Sequence, residues 1–241
     1  MPKFFFSPQE ITGGFISVSD ETSYHLLHVL RMKPGTQVVL SDGLGTDYLA
    51  ELCANTAFAI KSTSPCLTEP VTHITLYQAL LKGDKMDLVI QKCVELGVFE
   101  IRPVQTERSV SRIKGKDSDA AKKTTRYQKI SESAAGQSNR GRIPVIHPPV
   151  NFDAAVKSQM SGLTLLAYER EQSLTLKSAL TDNPPSHINI WIGPEGGFSD
   201  DEASALLGAG AIPVTLGRRI LRAETAAISA VAQIICLCEE A

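Results

Sequence analysis

Along the first third of the chain the apolar residues fall in short runs broken by glycine, which is the pattern of strands joined by tight turns. Residues 4–6 and 15–18 flank Gly13-Gly14, residues 37–40 and 48–52 flank Asp42-Gly43-Leu44-Gly45 as a hairpin, and residues 57–61 add a further strand. One helical stretch interrupts them. Ser19 or Asp20 can cap it, it runs to about Met32, and Lys33-Pro34-Gly35 ends it, because proline cannot continue a helix and glycine tolerates the exit. Past Thr68-Glu69-Pro70 the pattern changes to alternating strands and helices. Strands are predicted at 73–81, 99–104, 164–168, 188–192 and around 214, and helices at 84–96, 120–135, 174–180 and 226–237. In the helix that Asp84 caps, Met86, Val89, Ile90, Cys93, Val94 and Leu96 share the apolar side, and Gly97 closes it. Strand–helix alternation implies an α/β fold with a parallel sheet covered on both faces. The chain therefore reads as a small β-rich domain, 1–69, followed by an α/β domain, 70–241.

Composition narrows this only slightly. A chain of 241 residues with 43% hydrophobic residues has the length and content for a sizeable core. Its five cysteines, Cys53, Cys66, Cys93, Cys236 and Cys238, form neither a Cys-x-x-Cys pair nor a disulfide framework, so reduced thiols and a cytoplasmic location are expected. No apolar run is long enough to span a membrane, and residues 1–6 are too short for a signal peptide. His25 and His28 stand three apart on the first helix but lack further nearby ligands, so no metal is expected. Charge changes the picture more. The net charge is −2, yet residues 102–142 hold eleven Lys/Arg against four Asp/Glu, and the rest of the chain is acidic. Such a segment is either a phosphate footprint or a solvated helix face with a basic loop. Arg108, Arg112, Arg140 and Arg142 are that segment's candidate phosphate contacts.

Two later stretches carry the candidate chemistry. Each is a strand, a tight loop and a helix. In the first, residues 188–192 lead into Gly193-Pro194-Glu195-Gly196-Gly197-Phe198, and Ser199 with Glu202 has the spacing of a capping box. In the second, Val214-Thr215-Leu216-Gly217 leads through Arg218-Arg219-Ile220-Leu221-Arg222 into Ala223-Glu224-Thr225. The first loop lacks the Gly-Lys-Ser/Thr of a phosphate loop and the spacing of a dinucleotide fingerprint, and Glu195 would repel phosphate. Its glycines suit close backbone approach to a neutral or cationic ligand, or simply a sharp turn.

Taken together, Gly-Pro-Glu-Gly-Gly-Phe-Ser and Leu-Gly-x-x-Ile-Leu-Arg-x-Glu-Thr-Ala resemble the SPOUT superfamily of RNA methyltransferases. More narrowly, they resemble the family that methylates uracil N3 in small-subunit (16S) ribosomal RNA. His25–Arg31, Lys82–Asp87 with Glu95–Val98, Glu107–Val110 and Gln137–Arg140 extend the similarity over most of the chain, with Gly136 standing where the family more often has glutamate. The resemblance implies a PUA-like β-barrel before an α/β domain with a C-terminal deep trefoil knot, S-adenosylmethionine as cofactor without a metal, 16S ribosomal RNA in the small subunit as partner, and a homodimer. It implies that Gly193, Glu195, Gly196, Gly197, Leu216, Gly217, Ile220, Leu221 and Arg222 hold the cofactor, and that Arg31 joins Arg108, Arg112, Arg140 and Arg142 as RNA contacts. Arg222 and Glu224 would arrange the uracil, and Glu224 either accepts the N3 proton or pairs with Arg222 or Arg219 to hold the loop. The unusually apolar helix at 226–237 is either core or subunit interface. Two other readings remain, a 2′-hydroxyl ribose methylase of the same fold and a non-catalytic RNA-binding or ribosome-assembly protein.

Overall fold

The computed structural model describes residues 3–54, 57–112, 117–158, 161–180 and 185–239, and the chain divides into two compact units. One runs to Glu69 and adds Glu132–Ile143; the other takes Pro70–Ser131 and continues from Pro144. Residues 132–143 join the first unit for a polar reason. Glu69 accepts hydrogen bonds from the amides of Gly141 and Arg142, Gly45 donates to the Gly141 carbonyl, and Ile143 donates to Gly43.

The first unit contains β1 (Phe4–Phe5), β2 (Ile11–Thr12), β3 (Phe15–Ile16), α1 (Asp20–Tyr24), β4 (Gln37–Ser41), β5 (Thr46–Leu52) and β6 (Phe58–Pro65). Its six-stranded sheet has the order β1-β4-β5-β6-β3-β2. The β4–β5 hairpin forms as expected, with Gly43 and Gly45 at φ +70° and +112°, values that favour glycine. Phe6, Ile16, Leu26, Leu40, Leu52 and Phe58 make its core. The helix expected to reach Met32 is shorter: α1 widens into a π-helical turn at His25–Val29, and Arg31 leaves it with φ +53°. Gly136 has a local reason. A Cβ there would lie 2.8 Å from the Lys3 carbonyl oxygen, so any side chain would displace the segment leading into β1.

The second unit contains β7 (His73–Ala79), α2 (Lys85–Glu95), β8 (Glu100–Gln105), most of α3 (Asp117–Gln137), β9 (Val145–Ile146), β10 (Val150–Asn151), α4 (Phe152–Lys157), β11 (Leu163–Ala167), α5 (Leu176–Ala179), β12 (His187–Ile192), α6 (Asp200–Gly208), β13 (Ile212–Val214) and α7 (Ala223–Glu239). Every strand pairing is parallel, in the order β10-β8-β7-β12-β11-β13, with β9 also on β8. The central strands β7 and β12 are buried almost throughout, and Tyr77 stacks on Trp191 at 4.4 Å between ring centroids. α7 turns Ala223, Ala227, Ala230, Val231 and Ile234 inward, against α2, β7 and β12, so one side of this apolar helix is core. Ile228, Ile235 and Leu237 remain half-buried. Among the described residues no helix is long and apolar enough to cross a membrane.

Candidate active site

Because the strands of the second unit are parallel, the loops that follow them leave at the same edge of the sheet, where open α/β sheets bind ligands. The loops after β7, β8, β11, β12 and β13 meet there. The loop after β12 is set by α6. The Ser199 side chain accepts from the Glu202 amide at 3.3 Å, and the Ser199 amide donates to Glu202 Oε2 at 3.0 Å, which is the predicted capping box. Glu202 is buried, and its Oε1 accepts from the Glu107 amide at 2.7 Å, so the cap also anchors the loop after β8. A pocket of about 250 Å³ opens beside this link, between Thr106, Glu107, Arg112, Asn151, Asp153 and Glu202.

Arg108 is exposed, and its guanidinium donates to the carbonyls of Gly196 at 3.0 Å and Phe198 at 3.3 Å. An arginine read from sequence as an RNA contact thus also braces the glycine loop. Gly197 has φ +69°, and a Cβ on it would lie 2.7 Å from Glu169 Oε1, in the loop after β11. Gly217 has φ +124° and open space where a Cβ would point. The loop from Gly217 to Arg222 is exposed apart from half-buried Leu221, and Ile220 is 90% exposed. A lone aliphatic side chain so placed, among exposed Arg218, Arg219 and Arg222, offers apolar and cationic surface at one point.

The ion pairs join the two loops. Lys85 Nζ lies 3.1 Å from Glu195 Oε1 and 3.3 Å from Glu224 Oε2, so one ammonium serves both carboxylates. The Glu224 side chain is only 13% exposed. The partner expected for Glu224 was Arg222 or Arg219; the ion pair is with Lys85 instead. Lys85 stands in the 82–87 stretch that resembles the family, and nothing local in the sequence links it to either glutamate. Burial would raise the Glu195 carboxyl's pKa, but its own loop amide, Lys85 and the Lys82 amide outweigh that and hold it below its ordinary range. The Lys85 ammonium is held above its ordinary range by its hydrogen bond to Glu195, against partial desolvation and with help from Glu224.

The other basic residues separate by environment. Arg140 is buried. Its side chain is 3% exposed and pairs with Glu69 at 2.6 Å. Arg142, half-buried, donates to the Leu44 carbonyl at 3.0 Å within the first unit. Arg112 is exposed and donates to the Glu107 carbonyl at 3.0 Å, and Arg31 is exposed. Lys114 and Lys116, counted in the basic segment, lie outside the described residues. Among the described residues no group of three or more His, Cys, Asp or Glu is placed to hold a metal ion.

Similarity to known proteins agrees with this geometry. Residues 68–235 match the RNA methyltransferase domain family, and residues 18–53 match the RNA methyltransferase PUA domain. The chain is 34% identical over 240 residues to ribosomal RNA small subunit methyltransferase E of Synechocystis, covering 97% of this chain and 77% of that protein. It is 33% identical to the Bacillus subtilis protein of the same name, over 90% of this chain and 88% of that one. Among solved structures, the Neisseria gonorrhoeae ribosomal RNA small subunit methyltransferase E bound to S-adenosyl methionine superposes with a TM-score of 0.85 at 33% identity over 98% of both chains. A Legionella pneumophila protein solved in complex with the same cofactor superposes at 0.83, with 33% identity and 96% of each chain covered. This chain belongs to the ribosomal RNA small subunit methyltransferase E family.

Proposed function

We propose that the protein transfers a methyl group from S-adenosylmethionine to N3 of a uridine in 16S ribosomal RNA. The observation that carries this reading is the meeting of the β12 and β13 loops, with Glu195 and Glu224 on one ammonium. The residues present fit the cofactor. Gly217 leaves open space beside a backbone only glycine adopts freely, and Leu216, Leu221 and exposed Ile220 offer apolar surface for a purine. Backbone groups of Leu216, Gly217, Ile220, Leu221 and Arg222 hold the adenosine part, and Gly193, Glu195, Gly196 and Gly197 meet the ribose or the methionine part. The β13 loop and α7 form the knotted region of the fold, and the first unit forms a PUA-like barrel.

When bound, the cofactor supplies a methyl group already activated by its sulfonium, so the protein's task is alignment and proton removal. Uracil N3 is protonated at neutral pH and needs help to become a nucleophile. Glu224 takes that proton, and Arg222 orients the base and stabilises charge on its carbonyl oxygens. Arg31, Arg108 and Arg112, joined by Arg218 and Arg219, hold RNA phosphates. The half-buried apolar side of α7 pairs with a second copy, the commonest oligomer being a two-fold dimer.

The test is to incubate the protein with small ribosomal subunits and labelled cofactor, then identify the modified nucleoside. N3-methyluridine is expected. A 2′-O-methylated nucleoside would assign the fold to ribose methylation, and absence of both label transfer and cofactor binding would make it a non-catalytic RNA-binding protein.

A further inference from the structure

Lys85 breaks a local rule. It is the first residue of α2, where the helix dipole disfavours a cation, and the preceding Asp84 makes no side-chain capping bond that would compensate. A residue that weakens its own helix is best explained by what it reaches. It reaches two carboxylates from two other elements, Glu195 in the loop after β12 and Glu224 in the first turn of α7. Of the ammonium's three N–H donors one is taken by a hydrogen bond, to Glu195, while Glu224 Oε2 is buried and held at 3.3 Å by charge alone, so a donor remains. The Lys85 side chain is still 34% exposed, which leaves that donor room to meet a bound group. Held above its ordinary range, the ammonium keeps its proton at neutral pH, so Lys85 is a donor and not the base.

We propose that Lys85 is a positioning residue for methyl transfer: its ammonium fastens the Glu195 loop to the Glu224 carboxylate, so that the cofactor loop and the proton acceptor form one constellation. The inference rests on the activity proposed above. Arg222 and Glu224 were assigned to the uracil and the glycines to the cofactor; Lys85 is what connects the two sets. Without it the cluster carries two carboxylates and no cation, like charges that move apart. The placement of Glu224 beside the Glu195 loop depends on that cation.

Two variants, Lys85→Met and Lys85→Arg, test this beside the parent. Each is assayed by single-turnover methylation of small subunits across mildly acid to mildly alkaline pH. Lys85→Met is expected to lower turnover by about a hundredfold and to move the acid limb of the profile to higher pH. Lys85→Arg is expected to restore most of the rate and the limb. A Met variant with parental turnover and profile overturns the proposal. So do equally impaired Met and Arg variants with an unmoved pH profile, since that describes a merely structural lysine. A second readout does not depend on turnover: isotope-edited infrared spectroscopy of the glutamate carboxyls. In Lys85→Met the Glu195 carboxylate should protonate at higher pH than in the parent, and an unchanged titration overturns the proposal. If the parent itself fails to methylate, the activity is wrong, and the infrared titration still decides whether Lys85 couples the carboxylates.

Discussion

Glu69 and Glu195 are both loop carboxylates that tie together segments far apart in sequence, and they are saturated to different degrees. Glu69 Oε1 accepts from Arg140 Nε and from the amides of Gly141 and Arg142, while Oε2 accepts from Arg140 Nη2 at 2.6 Å. Its arginine is sealed, with 3% of the side chain exposed. Glu195 and Glu224 share one lysine, and the three side chains are 30%, 13% and 34% exposed. The first cluster has its strong donors matched around a sealed arginine, so it can do little but hold the first unit together. The second has unfilled hydrogen-bonding capacity and an open side, which is what a ligand site needs. The difference shows that a basic residue in a basic stretch is not thereby an RNA contact. Arg140 is buried on Glu69, whereas Arg218 and Arg219, outside that stretch and in the loop after β13, are exposed.

Breaking the closed cluster should have the largest effect. Arg140→Ala empties a buried site and strips Glu69, 19% exposed, of its charged donor, and should destabilise the protein by about 1.5–3 kcal/mol, read by chemical denaturation, while the salt dependence of RNA binding stays as it was. An intermediate case is Glu100. Burial would raise its carboxyl, but His147, which donates to it at 2.8 Å, and Arg102 outweigh this and bring it down to about 2. A lowered carboxylate contributes stability above its ordinary value and loses it as pH falls toward the folded value. Since the group is partly solvated, Glu100→Gln should remove about 1–2 kcal/mol near neutrality. It should also flatten the loss of stability between mildly acid pH and pH about 2, which acid titration of the unfolding midpoint checks.

Smaller effects sharpen the contrast from the open side. In the Arg218→Ala, Arg219→Ala double variant, each lost phosphate contact should flatten the log–log salt dependence of RNA affinity by roughly 0.7–0.9, with folding unaffected. An unchanged slope would place these arginines elsewhere than on phosphate. A smaller shift of the denaturation midpoint than in Arg140→Ala is expected from Lys85→Met, because the Lys85 and Glu195 side chains are 34% and 30% exposed. A midpoint shift as large as that of Arg140→Ala would make the two clusters alike.

Much of the fold was legible because its signals are local. The Ser199–Glu202 capping box, the Asp42–Gly45 hairpin turn and the strand–helix alternation after Pro70 all formed where the pattern put them. Shorter features were missed. β2, β9 and β10 are two residues each, too short to carry a period, and α4 is a single short helix after β10. The site was legible in its loops and not in its ion pairs. Lys85 and Glu195 are 110 residues apart, and only the parallel packing of β7 beside β12 brings their loops together. The same holds for Arg140 and Glu69, 71 residues apart. A charge in sequence has no visible partner until the topology supplies one.

The central claim is that the loops after β12 and β13 hold S-adenosylmethionine, and titration calorimetry tests it most directly. A Cβ added at Gly196 would lie 3.4 Å from the nearest atom of Arg108, an ordinary contact, so Gly196→Ala should fold as the parent does. Gly217→Val has free space but must adopt φ +124°, which a β-branched residue resists. The parent should bind the cofactor, and both variants should bind it about tenfold more weakly or worse, with Gly196→Ala keeping the parental unfolding midpoint. Parental affinity in both variants would contradict the assignment of these loops as the cofactor site.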